Sequence, residues 1–212
     1  MMYKHTYREL ISKLPVSQED VDFFAQIPFA RPHLDKSSPY HPVPFVTRYD
    51  QGDLSDKFFS NAIHTNDTIP RILALTRKEY FLPSLLNVEK ESDQPEGLEE
   101  PHFVAFCQLE SDVTRYINTT HGGVLAALLD ETLGLCAETY RVFIPDEQEH
   151  LPTARVEVDY HSPVPTPGII VIKTWVKRTG GRKWFLEAHV LDHEGSMTAT
   201  TKSLYIRLKS QL

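Results

Sequence analysis

Two carboxylates lie inside an apolar segment that begins with a histidine and two glycines. The segment runs from His121 to Glu131 and reads HGGVLAALLDE. A carboxylate in an apolar helix costs free energy unless it is paired, solvated or used in chemistry. Asp130 and Glu131 are therefore candidates for an acid or base, or for a buried ion pair. Because adjacent helical residues point about 100° apart, we expect only one of them to face a shared site.

Gly122 and Gly123 stand where the helix should begin. The first N–H groups of a helix have no partner within it, and they carry the positive end of its dipole. Glycine lets a ligand approach the backbone closely, so both N–H groups should be open to a negatively charged oxygen. Such donors can stabilise an oxyanion that develops on a carbonyl. The plainer alternative is a tight turn, with His121 as a helix cap.

The helix itself limits how these groups can cooperate. The residue steps from Gly122 to Asp130 span about 12 Å along a helix. The two residues of one chain therefore cannot both touch one reacting carbonyl. If both act on one carbonyl, they belong to different subunits, and the sequence then predicts a homodimer.

A basic cluster forms the second candidate binding feature. Five of the 22 lysines and arginines lie between Lys173 and Lys183, together with Trp175 and the pair Gly180-Gly181. Arginine and lysine donors suit phosphate groups. The alternative is that these charges only discourage the pairing of exposed strands.

The elements around these residues predict an α+β fold. The segment from Gly122 to Tyr140 is apolar on nearly all sides, which is typical of a buried helix. One predicted strand, HFVAFCQL, precedes this helix. Four predicted strands follow it, ARVEVDYHSPV, IIVIKTWVKR, KWFLEAHVLD and MTATTKSLYIRL, with turns at Gly180-Gly181 and Glu194-Gly195. This order predicts an antiparallel sheet wrapped around one long central helix.

The region before this pattern looks different. We predict an N-terminal extension over residues 1–88, with short helices and proline-rich loops, and an acidic linker over 89–100 before the main domain at 101–212. Ser17 and Asp20 resemble a capping box. The spacing of apolar residues in DTIPRILALTRKEYF predicts a second helix.

Composition excludes several classes of function. A formal charge of −7 argues against a general nucleic-acid binder. The longest apolar run, Val124 to Leu129, is far shorter than the ~20 residues that cross a bilayer. Cys107 and Cys136 predict neither a disulfide framework nor a metal site. We expect a cytoplasmic protein, with a mitochondrial location as the alternative because the N-terminus is mildly basic.

The motifs together resemble a known family. Asn118-Thr-Thr-His121-Gly-Gly, Asp130 nine residues after the histidine, PTARVEVDYHSPVP and GGRKWFLEAHVLD are similar to the hotdog-fold acyl-CoA thioesterases of the phenylacetate type. The likeness is greatest to the eukaryotic mitochondrial-type long-chain branch, and it covers about residues 100 to 210. SNAIHTNDTIPRILALTRKEY also resembles the extension of fungal relatives.

The resemblance implies a role for each candidate residue. Asp130 matches the general base or nucleophile, and Glu131 a neighbour with which the roles could be exchanged. Thr153 matches a hydroxyl that orients the attacking water or the carboxylate, although a threonine also suits a strand start. Asn118 either donates to the thioester or shapes its turn. The remaining matches are His121 and Gly122 at the oxyanion, and Arg178, Gly181, Arg182 and Lys183 at coenzyme A.

The function implied by this resemblance is hydrolysis of an acyl-CoA thioester to a free acid and CoA. No cofactor or metal is implied, because coenzyme A enters as part of the substrate. The implied assembly is a homodimer with sites at its interface, and a dimer of dimers stays open, as does a covalent anhydride on Asp130. One alternative is a hotdog hydratase or dehydratase, whose histidine-plus-acid signature we do not find in the strands. The other is a non-catalytic acyl-CoA-binding or regulatory module.

Overall fold

A computed structural model describes residues 7–50, 52, 56–78, 100–141 and 151–208. The predicted linker at 89–100 lies outside the described residues except for Glu100, so it stays a prediction. The helices are α1 (Tyr7–Lys13), α2 (Gln18–Ala25), α3 (Arg31–Leu34) and α4 (Gly122–Arg141). The strands are β1 (Tyr40–Val43), β2 (Ile72–Arg77), β3 (Phe103–Leu109), β4 (Thr114–Tyr116), β5 (Thr119–Thr120), β6 (Thr153–Tyr160), β7 (Gly168–Gly180), β8 (Lys183–Leu191) and β9 (Met197–Ile206).

One antiparallel sheet of seven strands, in the order β1-β2-β3-β7-β8-β9-β6, forms the main layer. Alternate residues of β3 divide between its two faces. Ala105 and Cys107 face the core that contains α4, whereas Val104 and Phe106 pack against α2 and α3. The predicted α+β fold, with an antiparallel sheet around one long helix, is confirmed.

Helix α4 follows its sequence closely. Leu125, Leu128, Leu129 and Leu133 are fully buried against the sheet, as expected for a helix without a polar face. At its C-terminal end, Arg141 forms an ion pair with Glu138 and places a positive charge at the negative end of the helix dipole. The predicted helix over 122–140 is therefore confirmed.

The four strands after α4 are also confirmed as β6, β7, β8 and β9. Their turns contain Gly181 and Gly195, with φ of 58° and 81°. Residues with side chains rarely adopt these angles, which explains glycine at both turns. Strand β6 pairs with β9 on one side only, so it forms an edge of the sheet.

The predicted second helix in the N-terminal region is wrong. Residues 72–77 form strand β2, which is buried along almost its whole length. Ile72 and Ala74 face the core around α4, and Leu73 and Leu75 face α2 and α3. A strand that is covered on both faces has a continuous apolar run, and such a run also satisfies helical spacing.

The N-terminal region is packed into the same core. Val43, Phe45 and Phe59 join the cluster that contains the leucines of α4. The buried guanidinium of Arg48 donates to the carbonyls of Phe59, Ile63, Ile69 and Pro70, which fixes the loops between β1 and β2. Strands β1 and β2 therefore share one sheet with the strands of the predicted main domain.

The Ser17 hydroxyl accepts a hydrogen bond from the Asp20 N–H at 3.2 Å, so Ser17 caps α2 as predicted. In the described ranges, no helix is both long and apolar enough to cross a membrane. The cytoplasmic or mitochondrial location stays a prediction.

Candidate active site

Asp130 is held by hydroxyl groups from two strands. Its Oδ1 accepts hydrogen bonds from Thr153 Oγ1 at 2.9 Å and from Tyr205 Oη at 3.0 Å. The Tyr205 hydroxyl also lies 2.7 Å from the backbone oxygen of Asp130, so one phenolic proton serves two acceptors. Within the described part of the chain, Oδ2 has no protein partner. The carboxylate is thus fixed through one oxygen and open at the other.

Tyr205 was not predicted as a site residue. Its side chain is 2% exposed, and burial, together with the charge of Asp130, raises its pKa far above the ordinary value. The phenol therefore stays protonated and can donate. The one signal in the sequence was a tyrosine at an inward position of β9, since a buried tyrosine hydroxyl normally needs a polar partner.

Glu131 lies in a different environment from Asp130. Burial raises the pKa of Glu131 to about 7; Asp56 and Asp130 add to the rise, and the nearby Thr47 opposes it. Asp56 and Thr47 both belong to the N-terminal region. The two adjacent carboxylates therefore face different parts of the protein, as expected from their positions on the helix.

The first turn of α4 contains one open N–H group. The Gly123 N–H donates to Nδ1 of His121 at 2.9 Å, so the expectation that both glycine N–H groups are open is wrong for Gly123. The Gly122 N–H has no acceptor among the described residues. Because Nδ1 of His121 accepts, the proton of the neutral ring is on Nε2. Gly122 N–H and His121 Nε2–H are therefore available as donors in the described part of this turn.

A cavity of about 330 Å³ lies beside this turn. Tyr160 forms one wall, and its hydroxyl donates to the Gly122 carbonyl at 2.7 Å. Apolar atoms supply most of the surface. The other lining residues are Thr119, Thr120, Gly122, Leu125, His161, Ser162, Pro163 and Val164.

Asn118 lies at the turn between β4 and β5. Its φ is 57°, a left-handed conformation that asparagine adopts more readily than most residues. Its carbonyl accepts a hydrogen bond from the Thr166 N–H at 3.2 Å. These observations support the turn-shaping alternative for Asn118. Its donation to a thioester stays a prediction.

Gly122 and Asp130 form hydrogen bonds with opposite ends of β6. Thr153, at the start of the strand, holds Asp130, whereas Tyr160, at its end, holds Gly122. The structure therefore does not bring Gly122 and Asp130 of one chain to one point. This agrees with the separation of about 12 Å expected along the helix.

The predicted coenzyme contacts lie at the exposed turn between β7 and β8. Arg182 donates to the Arg207 carbonyl at 3.0 Å, and the guanidinium of Arg178 lies 4.4 Å from the centre of the Phe185 ring. Gly181 and Lys183 are exposed next to them. Strand pairing connects this turn to Asp130, because Trp184 is opposite Tyr205, and Tyr205 is opposite Thr153. Two strand spacings, about 10 Å, separate Trp184 from Thr153.

The described ranges contain no recognisable cluster of metal ligands. No group of three histidine, cysteine, aspartate or glutamate side chains is close enough there to hold an ion. Cys107 and Cys136 are buried free thiols, and burial raises the pKa of each to about 12. Neither thiol is therefore a ready nucleophile at neutral pH.

Comparison with known proteins gives a consistent result for the region around α4. Residues 117–199 match the model of the thioesterase superfamily. Acyl-coenzyme A thioesterase THEM4 of Xenopus laevis is 33% identical over 90 residues, covering 42% of this chain and 37% of the relative. Verlamelin biosynthesis protein B of a Lecanicillium species is 28% identical over 126 residues, covering 58% of this chain and 49% of the relative. The chain thus spans less than half the length of these relatives.

Solved structures with a similar fold were also found. The PaaI protein of E. coli, from the phenylacetic acid degradation operon, is 12% identical, with a TM-score of 0.45, and the match covers 50% of this chain and 72% of that one. A Bacillus halodurans protein solved with CoA is 20% identical, with a TM-score of 0.44, and the match covers 50% of this chain and 66% of that one. The matched segment 117–199 contains α4, the strands β6, β7 and β8, and the start of β9. This part of the chain is therefore similar to the thioesterase superfamily.

Proposed function

We propose that the protein is an acyl-CoA thioesterase that hydrolyses its substrate to a free acid and CoA. The observation that carries this proposal is the carboxylate of Asp130, which Thr153 and Tyr205 fix through Oδ1 and which is open at Oδ2. A fixed and accessible carboxylate can take a proton from water. The superfamily match and the similarity to proteins named acyl-CoA thioesterases support the same reaction.

In the proposed mechanism, Oδ2 of Asp130 takes a proton from water as its oxygen attacks the thioester carbonyl carbon. The carbonyl oxygen becomes an oxyanion, which the Gly122 N–H and His121 Nε2–H stabilise. Collapse of this intermediate restores the carbonyl, breaks the carbon–sulfur bond and releases the CoA thiolate, which takes up the proton from Asp130 and so restores the carboxylate. The covalent alternative has Oδ2 attack the carbonyl carbon and expel the thiolate, and water then hydrolyses the anhydride.

The active site in this proposal is shared between two subunits. Strand β6 is an edge with no partner beyond β9 among the described strands, and an edge can pair with a second copy. Antiparallel pairing of two β6 strands, centred between Val156 and Glu157, would bring Thr153 opposite Tyr160 of the partner subunit. Asp130 of one chain would then approach Gly122 of the partner subunit. The hydrogen bonds at the two ends of β6 support this homodimer.

Coenzyme A is proposed to lie along the turn between β7 and β8. The turn belongs to the end of the sheet that contains Thr153, which donates to Asp130 of α4. Arg182 and Lys183 are exposed there, and Arg178 and Gly181 are their neighbours. Phosphate oxygens favour such cationic donors. In an acidic chain, this turn offers an anionic substrate a local site.

Measurement of thiol release over a panel of acyl-CoAs tests the proposed function. Asp130→Asn keeps the side-chain volume but removes the base, so we expect kcat to fall ~100-fold or more while acyl-CoA binding persists. Glu131→Gln is the matched control, since it changes the adjacent carboxylate in the same way. We expect this control to keep kcat within about threefold.

Other outcomes identify the alternatives. An inactive Glu131→Gln beside a nearly active Asp130→Asn would reverse the two roles. Binding of acyl-CoA by wild-type protein without thiol release would favour the non-catalytic module. Hydration of an enoyl-CoA, or its formation from a hydroxyacyl-CoA, without thiol release would favour the hydratase or dehydratase.

A further inference from the structure

Tyr160 connects the edge strand β6 to the first turn of α4. It is the last residue of that strand, and its hydroxyl donates to the Gly122 carbonyl at 2.7 Å. Its ring lies against the bare Cα of Gly122, where an added Cβ would be 3.4 Å from the ring. Tyr160 therefore contacts the residue that carries the open N–H group.

One peptide plane is held at both of its polar ends. The Gly122 carbonyl and the Gly123 N–H belong to the same peptide group. Tyr160 donates to its oxygen, and Nδ1 of His121 accepts from its N–H. Two successive glycines leave the backbone unusually free to rotate, so these two side-chain contacts add to the helix in holding this plane. The plane in turn fixes the His121 ring and the neighbouring Gly122 N–H.

We propose that Tyr160 is a positioning residue that aims the Gly122 N–H and His121 Nε2–H at the oxyanion. This inference rests on the proposed thioesterase function. The hydroxyl acts through the Gly122–Gly123 peptide and touches no reacting atom. The direction of these N–H groups is important because they must lie within hydrogen-bond distance of the oxyanion as its charge develops. Donors that are displaced from this position lose most of their stabilising effect.

The surroundings of Tyr160 fit this role. The side chain is 52% exposed on the face that lines the cavity, while its hydroxyl is directed to the helix. Partial burial raises the pKa of Tyr160 above its ordinary value, so the hydroxyl is a proton donor at neutral pH. Tyr116 offers a contrast, because it is 69% exposed on β4 and donates to no group in the described structure.

Tyr160→Phe tests the proposal, with Tyr116→Phe as its matched control. Both remove one phenolic hydroxyl and keep the ring. For Tyr160→Phe we expect kcat to fall about tenfold with KM within about twofold, since the contact acts on transition-state donors. Tm and the oligomeric state should equal those of wild type. Tyr116→Phe should keep the wild-type kcat.

Amide NMR supplies a measurement that does not depend on activity. Loss of the hydroxyl should shift the Gly123 amide resonance and speed its hydrogen exchange, whereas Tyr116→Phe should leave both unchanged. If wild type hydrolyses no acyl-CoA, the proposed function fails, and the Gly123 amide still reports whether Tyr160 holds the turn. An unchanged Gly123 amide would overturn the inference. So would a wild-type kcat in folded Tyr160→Phe, or a loss of activity that accompanies a lower Tm or a lost dimer.

Discussion

Asp130 and Glu131 are adjacent in the chain, but their surroundings differ. Two hydroxyl groups donate to Oδ1 of Asp130 and fix its orientation. Glu131 is partly buried beside a second acidic side chain, and its removal from water raises its pKa to about 7. A difference of one residue position on a helix thus separates a carboxylate suited to catalysis from one that carries a cost in stability.

At the residue scale, we predict that Tyr205→Phe lowers kcat about tenfold with little change in KM. A hydrogen bond to a charged group contributes about 1.5–3 kcal/mol, and 1.4 kcal/mol corresponds to a tenfold change in rate. Steady-state kinetics of the folded variant measures this effect. Thr153→Val is the matched comparison, because it removes the other donor to Oδ1 and retains the side-chain shape.

The double variant Tyr205→Phe/Thr153→Val should approach the low activity of Asp130→Asn. If Tyr205→Phe alone retains wild-type kcat, its hydroxyl serves only the backbone oxygen of Asp130. The sequence could indicate Asp130 and Thr153, because both stand in recognisable motifs. It could not indicate Tyr205 as the partner of Asp130, or Tyr160 as the partner of Gly122, since these contacts join residues 75 and 38 positions apart.

At the scale of elements, patterning predicts a strand well where its two faces differ, and a buried helix well where an apolar segment is too long for a strand. Strand β6 alternates, and α4 is long and apolar, so both were predicted within a few residues. Strand β2 lies between α4 on one side and α2 and α3 on the other, and its apolar residues are therefore continuous. Its order in the sheet depends on contacts with β1 and β3, which local spacing does not contain.

The burial of Glu131 predicts a pH dependence of stability. The pKa is about 7 in the folded protein and 4.5 ordinarily, so the folded state binds more protons between these values. The contribution of Glu131 to the free energy of unfolding is therefore most favourable below about pH 4.5. This contribution is lost as the pH rises to about 7. We expect Glu131→Gln to exceed wild type by about 1–3 kcal/mol at pH 8 and to equal it near pH 4.5.

Urea unfolding of wild type and Glu131→Gln at both pH values measures this difference. Glu194→Gln is the control, because Glu194 is an exposed carboxylate in the turn between β8 and β9. Glu194→Gln should show the same difference in the free energy of unfolding between the two pH values as wild type. A Glu131→Gln variant that is no more stable than wild type at pH 8 would mean that the buried carboxylate has a compensating partner.

At the scale of the whole molecule, function and assembly are one proposal. Gly122 and Asp130 lie at opposite ends of β6, so a complete site needs one residue from each subunit. Two inactive variants can test this. Asp130→Asn removes the carboxylate, and Gly122→Pro removes the N–H at a position where helices accept proline.

We predict that mixing these two variants restores activity. In a mixed dimer one site receives both defects and the other receives neither. When half of the dimers are mixed, activity should approach about a quarter of wild type, since a two-fold dimer holds two sites. Labelled subunits must first be shown to exchange, and each variant must remain folded and dimeric. Demonstrated exchange without recovery would mean that Gly122 or Asp130 has been given the wrong role.

Because the hydrogen bonds of Asp130 and Gly122 lie at the two ends of β6, activity depends on how two β6 strands are aligned in a dimer. Side chains of a strand repeat every two residues, so two β6 edges that slipped by two positions would still present the same faces. Such a misaligned pair would have the correct mass and a buried interface. Each Asp130 would nevertheless be displaced by about 7 Å from its Gly122 counterpart in the other subunit. Catalysis would then distinguish correctly aligned dimers from slipped ones that size measurements cannot separate.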